Sequence, residues 1–136
     1  MVSAVSRSPW AKLNETKGDI TVNFAVGSSV ISQKDQATLM QLSHDAVNLT
    51  GYIVQVKGFA DSSGNAAMNQ KLSMARADAV IAYLIQNCNV PVRHIVEPGA
   101  MGTADPTAPN ETAQGRAQNR RVEVKVLVNK GPAGGQ

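Results

Sequence analysis

The chain is poor in the residues that most catalytic and metal sites need. Among 136 residues there is one cysteine and there are two histidines. A lone Cys88 excludes a disulfide within the chain and any metal cluster built on thiolates. His44 and His94 stand at no metal-ligand spacing to each other or to Cys88, so both read as surface or structural residues. Aromatic residues make up only 4%, which forces an aliphatic core, and the 43% of hydrophobic residues suffices for one in a single domain. No apolar run approaches the roughly 20 residues of a membrane span. Residues 1–19 lack the apolar centre of a signal peptide, so an exported protein would contain this chain as a piece with its leader removed. The 13 Lys and Arg are scattered and the net charge is only +3. Arg116, Arg120 and Arg121 form the sole basic cluster, and no aromatic platform accompanies them, which argues against nucleic acid as a partner. No nucleophile–base motif and no phosphate-cradling glycine loop is present, so no cofactor is expected.

What the chain does have is a clear alternation of strand and helix signals. Residues 1–18, with Ser3, Ser6, Ser8, Pro9 and Gly18, read as a linker before a domain spanning 19–130. Asp19 to Phe24 alternates like a half-buried strand. Ser32, with Asp35 three residues on, reads as a helix start, and Leu39, Leu42, Ala46 and Leu49 then fall on one helical face. Tyr52 to Phe59 predicts a second strand, and about Asn65 to Gln86 a long helix closed by Asn89-Val90-Pro91. Val92 to Val96 reads as a short strand and residues 98–115 as a long loop with a helical turn near 113–117. Arg121 to Val128 is the plainest strand, with Val122, Val124, Val126 and Val128 alternating with Glu123, Lys125 and Leu127. Residues 131–136 read as a flexible tail. Polar alternate positions in the second and last strands predict one wet sheet face. The expected architecture is therefore an α/β (α+β) two-layer βαβαβ–loop–β sandwich, a mixed four-stranded sheet with its helices on one face.

The chemistry gathers where the second strand turns into the long helix. Asp61 follows Gly58-Phe59-Ala60, and Arg76 lies two turns into the helix. At 100° per residue Asn69, Leu72, Ser73, Arg76, Val80, Tyr83 and Leu84 share one side, so Arg76 sits in a partly apolar stripe. A buried guanidinium without an anionic partner is costly, and Asp61 is the nearest candidate in sequence. The plainer account is a turn aspartate and a structural Asp61–Arg76 bridge. The sharper one is a pair left partly free to grip a zwitterion, with Asp61 taking an ammonium, Arg76 taking a carboxylate in a two-pronged contact, and the Asn69 amide alongside.

Three motifs in order carry a family resemblance: Gly58-Phe59-Ala60-Asp61-x-x-Gly64, Asn69-x-x-Leu72-Ser73-x-x-Arg76-Ala77-x-x-Val80, and Asn119-Arg120-Arg121-Val122-Glu123. Residues 19–130 resemble the OmpA-like domain, the peptidoglycan-binding module of outer-membrane protein A, peptidoglycan-associated lipoprotein and the flagellar motor protein MotB. The resemblance implies non-covalent binding of the peptidoglycan stem peptide through diaminopimelate, whose side-chain end carries one ammonium and one carboxylate. It implies that Asp61 holds the ammonium, Arg76 the carboxylate, Asn69 lines the pocket and Arg120 closes the site from the last strand. Phe59 and Ala60 would form the pocket wall, with Leu72 beside them. The chain departs from the usual pattern at three points: Ala25 follows Phe24 where an aspartate is common, Phe59 stands for a His or Tyr, and Ala60 for a Thr. The resemblance further implies an anchor in the periplasm-facing cell envelope, attached to a membrane only through a segment upstream of residue 1.

The competing reading is an envelope hydrolase with Asp61 as general base. Such a carboxylate usually works with a partner acid, nucleophile or metal, and the sequence places none near it. The expectation is a binding module and not an enzyme.

Overall fold

The computed structural model describes residues 14–61, 65–96, 99–100 and 110–129. Three long strands form an antiparallel sheet: β1 (Asn14–Asn23), β2 (Tyr52–Gly58) and β4 (Arg121–Asn129), with β4 central. In register, Val22 faces Val122 across β1–β4, and Val54 faces Val126 across β2–β4. A two-residue segment, β3 (Gly99–Ala100), lies parallel to β2 beside Lys57 and Gly58. The connecting helices are α1 (Gln33–Ala46), α2 (Ala66–Asn87) and α3 (Ala113–Asn119).

Each helix starts where its cap residue says it should. The Ser32 hydroxyl accepts from the Asp35 amide, Asn65 Oδ1 from Met68, and the Thr112 hydroxyl from Gly115. Each cap satisfies an amide that has no partner within the helix. Behind α2 the chain turns through Asn89, which has φ 58°.

The core is aliphatic, as the composition requires. Val22, Val54, Val56, Val122, Val124 and Val126 from one sheet face meet Leu39 and Ala46 of α1 and Ala77, Val80 and Leu84 of α2. The alternate positions Gln55, Lys57, Glu123 and Lys125 are only half buried on the opposite face. At Gly58 strand β2 and helix α2 touch backbone to backbone. A Cβ there would collide with the Ser73 carbonyl, so only glycine permits this approach. That contact brings the end of β2, and the Asp61 turn after it, against the first turns of α2.

Two boundaries differ from the sequence reading. Strand β1 begins at Asn14, inside the stretch read as linker, and passes a register shift between Thr16 and Gly18. Val92 to Val96 is not a strand: Val92–His94 is a turn of 3₁₀ helix, and only Ile95 bridges to Val54. Pro91 opens that turn, and the Ile95 amide closes it on the Val92 carbonyl. Residues 1–13, 62–64, 97–98, 101–109 and 130–136 lie outside the described residues, and with them most of the stretch read as a linker, much of the stretch read as a loop and the tail reading.

Candidate functional site

A hollow of about 510 Å³ opens between the loop after β1, the turn after β2 and the first half of α2. Asp61, Asn69, Leu72, Arg76 and Arg120 line it, together with Val26, Gly27, Met68, Lys71 and Ala75. Five of the seven residues expected to form a site are thus brought together. Phe59 and Ala60 are not among the lining residues. Both are buried behind it, and the Phe59 ring lies under the Arg121 guanidinium, 3.7 Å from its carbon. Position 59 follows Gly58 by one residue, and the pleat sends its side chain to the face away from the helices.

Arg76 is fully buried, yet it forms no ion pair among the described residues. Its Nε donates to the Ser28 carbonyl at 2.8 Å, Nη1 to the Phe59 carbonyl at 3.1 Å and Nη2 to the Ala25 carbonyl at 3.1 Å. The Phe24 ring stands 5.3 Å from its carbon. A guanidinium has five N–H groups, so one on Nη1 and one on Nη2 remain uncommitted among the described residues. Burial pushes Arg76 down from the ordinary guanidinium range to about 10; the nearby Asp61 charge opposes that fall and Arg120 adds to it. The group therefore stays cationic at neutral pH.

The expected Asp61–Arg76 bridge is replaced by another. Asp61 Oδ2 accepts from Arg120 Nη1 at 2.9 Å, while Arg120 Nε donates to the Phe24 carbonyl at 2.9 Å. In return the Phe24 amide donates to the Arg120 carbonyl. Arg120 thus ties the end of β1 to the start of β4 and holds the carboxylate at the rim. Asn69 is 7% exposed, and its side-chain amide bonds to no described residue, which leaves it to the hollow.

Sequence reasoning missed what positions Arg76. Its partners are backbone carbonyls from a loop about 50 positions away and from Phe59, and a carbonyl carries no residue signature. It also missed the rim residues Val26 and Met68, which are 73% and 63% exposed. Their exposure could not be read from apolar identity.

The hollow, with opposite charges set at a strand end and a helix start, belongs to a small α/β module whose charged groups stand where a polar ligand could meet them. The family model for the OmpA family matches residues 23–120, and the chain belongs to that family. It is 46% identical over 103 residues to "Probable lipoprotein YiaD" of Escherichia coli (strain K12), covering 76% of this chain and 46% of that protein. It is 32% identical over 113 residues to "Peptidoglycan-binding protein ArfA" of Mycobacterium tuberculosis (strain ATCC 25618 / H37Rv), covering 77% of this chain and 34% of that protein. The chain thus spans about half or less of the length of these curated relatives. Among solved structures, the peptidoglycan-associated lipoprotein from Burkholderia pseudomallei superposes with a TM-score of 0.73 at 25% identity, over 78% of this chain and 88% of that one.

Proposed function

We propose that this domain binds peptidoglycan non-covalently through the diaminopimelate of its stem peptide, and so fastens the outer membrane or an envelope complex to the cell wall. The observation that carries the reading is the shared hollow, in which a carboxylate and a cation with two uncommitted N–H groups line the same wall. Asp61 takes the ligand's ammonium, and Arg120 steadies Asp61 while it does so. Arg76 takes the carboxylate in a two-pronged contact, since Nη1 and Nη2 each keep one donor. The Asn69 amide offers a donor and an acceptor between them, and Leu72 packs on the ligand's methylenes. Phe59 acts through its carbonyl, which aims Arg76, and Ala60 backs the turn. The names of the relatives support the wall as the partner: one is a peptidoglycan-binding protein and another a peptidoglycan-associated lipoprotein. On this reading the domain works in the periplasm or against the outer membrane, and its membrane attachment belongs to another part of the protein.

No observation favours the hydrolase alternative. Arg120 pairs with the Asp61 carboxylate, and an ion-paired carboxylate has its proton affinity lowered, which suits a general base poorly.

The test is co-sedimentation with isolated sacculi and calorimetry with a diaminopimelate-containing peptide. Each charge-assisted contact is worth about 1.5–3 kcal/mol, so Asp61→Asn is expected to weaken binding at least about tenfold. Its circular dichroism should match the parent's. Equal binding by the variant and the parent would remove Asp61 from the site.

A further inference from the structure

The charges of the described lining do not balance. Among the described residues three cations, Lys71, Arg76 and Arg120, line the hollow with one carboxylate, Asp61. A zwitterionic head brings one charge of each sign and leaves that excess in place. Lys71 is exposed and makes no ion pair or hydrogen bond with any described residue. It precedes Arg76 by five residues on α2, roughly 7.5 Å along the helix axis. Diaminopimelate gripped at its side-chain end would place its peptide-linked end a comparable length of extended chain away. The residue before it in a stem peptide is a glutamate joined through its side chain, so its α-carboxylate stays free three carbons back from that link, a gap that the long Lys71 side chain can help to span.

We infer that Lys71 takes this second carboxylate and makes the site prefer stem peptides whose glutamate is a free acid over those in which it is amidated. The inference rests on the proposed binding of diaminopimelate by Asp61 and Arg76. Lys71 is a specificity residue in this scheme, since the grip on the zwitterion does not need it. Its contribution is modest because the ion pair is exposed and screened.

Calorimetry decides it with two probes: the L-Ala-γ-D-Glu-meso-diaminopimelate tripeptide, and the same peptide with the glutamate α-carboxylate converted to its amide. The parent should bind the acid about threefold more tightly than the amide, within the span of an exposed ion pair. Lys71→Gln should abolish that preference by weakening only the acid, and 1 M salt should shrink it in the parent. A parent that binds both probes equally, or a Lys71→Gln variant that keeps the parent's ratio, overturns the role of Lys71 and leaves the diaminopimelate site standing. A parent that binds neither probe overturns both.

Discussion

Two buried arginines meet the same residue, Phe59, and are treated in opposite ways. Arg121 lies over the Phe59 ring, and its Nε is paired with Glu123 Oε2 at 2.8 Å. Arg76 donates to the Phe59 carbonyl and makes no ion pair within 4.0 Å. The first is a structural cation, matched by a carboxylate two residues along its own strand. The second is held by three neutral oxygens, which fix where the charge sits without cancelling it. Burying a cation this way is expensive, and the fall of Arg76 to about 10 is the mark of that expense. A fold tolerates such an arrangement at a place where an anion is to arrive. On the proposed function, the contrast separates a binding end of the sheet, under the helices, from a packing role on its other face.

The comparison breaks most visibly at Arg76 itself. Arg76→Ala leaves the buried Phe59 carbonyl without this donor at about 1–3 kcal/mol, and takes a donor from the part-buried Ser28 and Ala25 carbonyls, the second of which keeps the Ser28 amide. It also empties the space of a fully buried side chain and removes the carboxylate contact. The expected loss is about 3 kcal/mol or more in urea unfolding, with peptide binding abolished. Unchanged stability would mean that the carbonyls find water, and the claim that they aim the guanidinium would fail.

Next in size is Gly58→Ala. The new methyl meets the Ser73 carbonyl, a backbone atom that cannot rotate away, so β2 and α2 have to separate. Overpacking of this kind costs about 1–3 kcal/mol. It also shifts the Phe59 carbonyl from Arg76, so affinity for the stem peptide should fall along with stability. A variant as stable as the parent would contradict the close approach.

A pH series separates the cation from its surroundings. Burial favours the neutral guanidine, so the cation is complete well below pH 10 and is lost as pH rises through it. Pimelate carries carboxylates but no amine and does not titrate in that range. Its binding, followed by chemical shift, should be flat from pH 7 to 9 and drop about tenfold at one unit above the Arg76 value. Binding that persists undiminished at pH 11 would mean that burial does not lower Arg76, since a guanidinium with its ordinary value stays cationic there.

The smallest effect is expected on the other face. Glu123 is half exposed, so Glu123→Gln should cost about 1 kcal/mol or less and leave ligand affinity unchanged. A binding defect in this variant would erase the distinction between the two arginines.

How much of this was legible in the sequence depended on which atoms carried the signal. Side-chain periodicity found both long helices, and Ser32 and Asn65 marked their starts, because caps and apolar faces are written in residue types. Strand β1 was read five residues short: Asn14-Glu15-Thr16-Lys17-Gly18 contains no apolar residue and is held by backbone pairing to β4. Val92 to Val96 looked like a strand from its valines, yet its ladder with β2 is a single bridge, Ile95 beside Val54 with the Val96 amide on the Val54 carbonyl. Within the site, the approach of Asp61, Asn69 and Arg76 could be read from helical spacing and a turn. Which cation faces Asp61 could not, since Arg120 arrives from 59 residues away.

The most direct test is a titration of the labelled protein with meso-diaminopimelate, following the Nε–H signals of Arg76 and Arg121 and the backbone amides of Asp61 and Asn69. The account predicts saturable shifts at Arg76, Asp61 and Asn69 with Arg121 still, and a much weaker response to a stem peptide with lysine in place of diaminopimelate, whose side-chain end has an ammonium but no carboxylate. Shifts centred on Arg121, or none at Arg76 at saturating ligand, would contradict it.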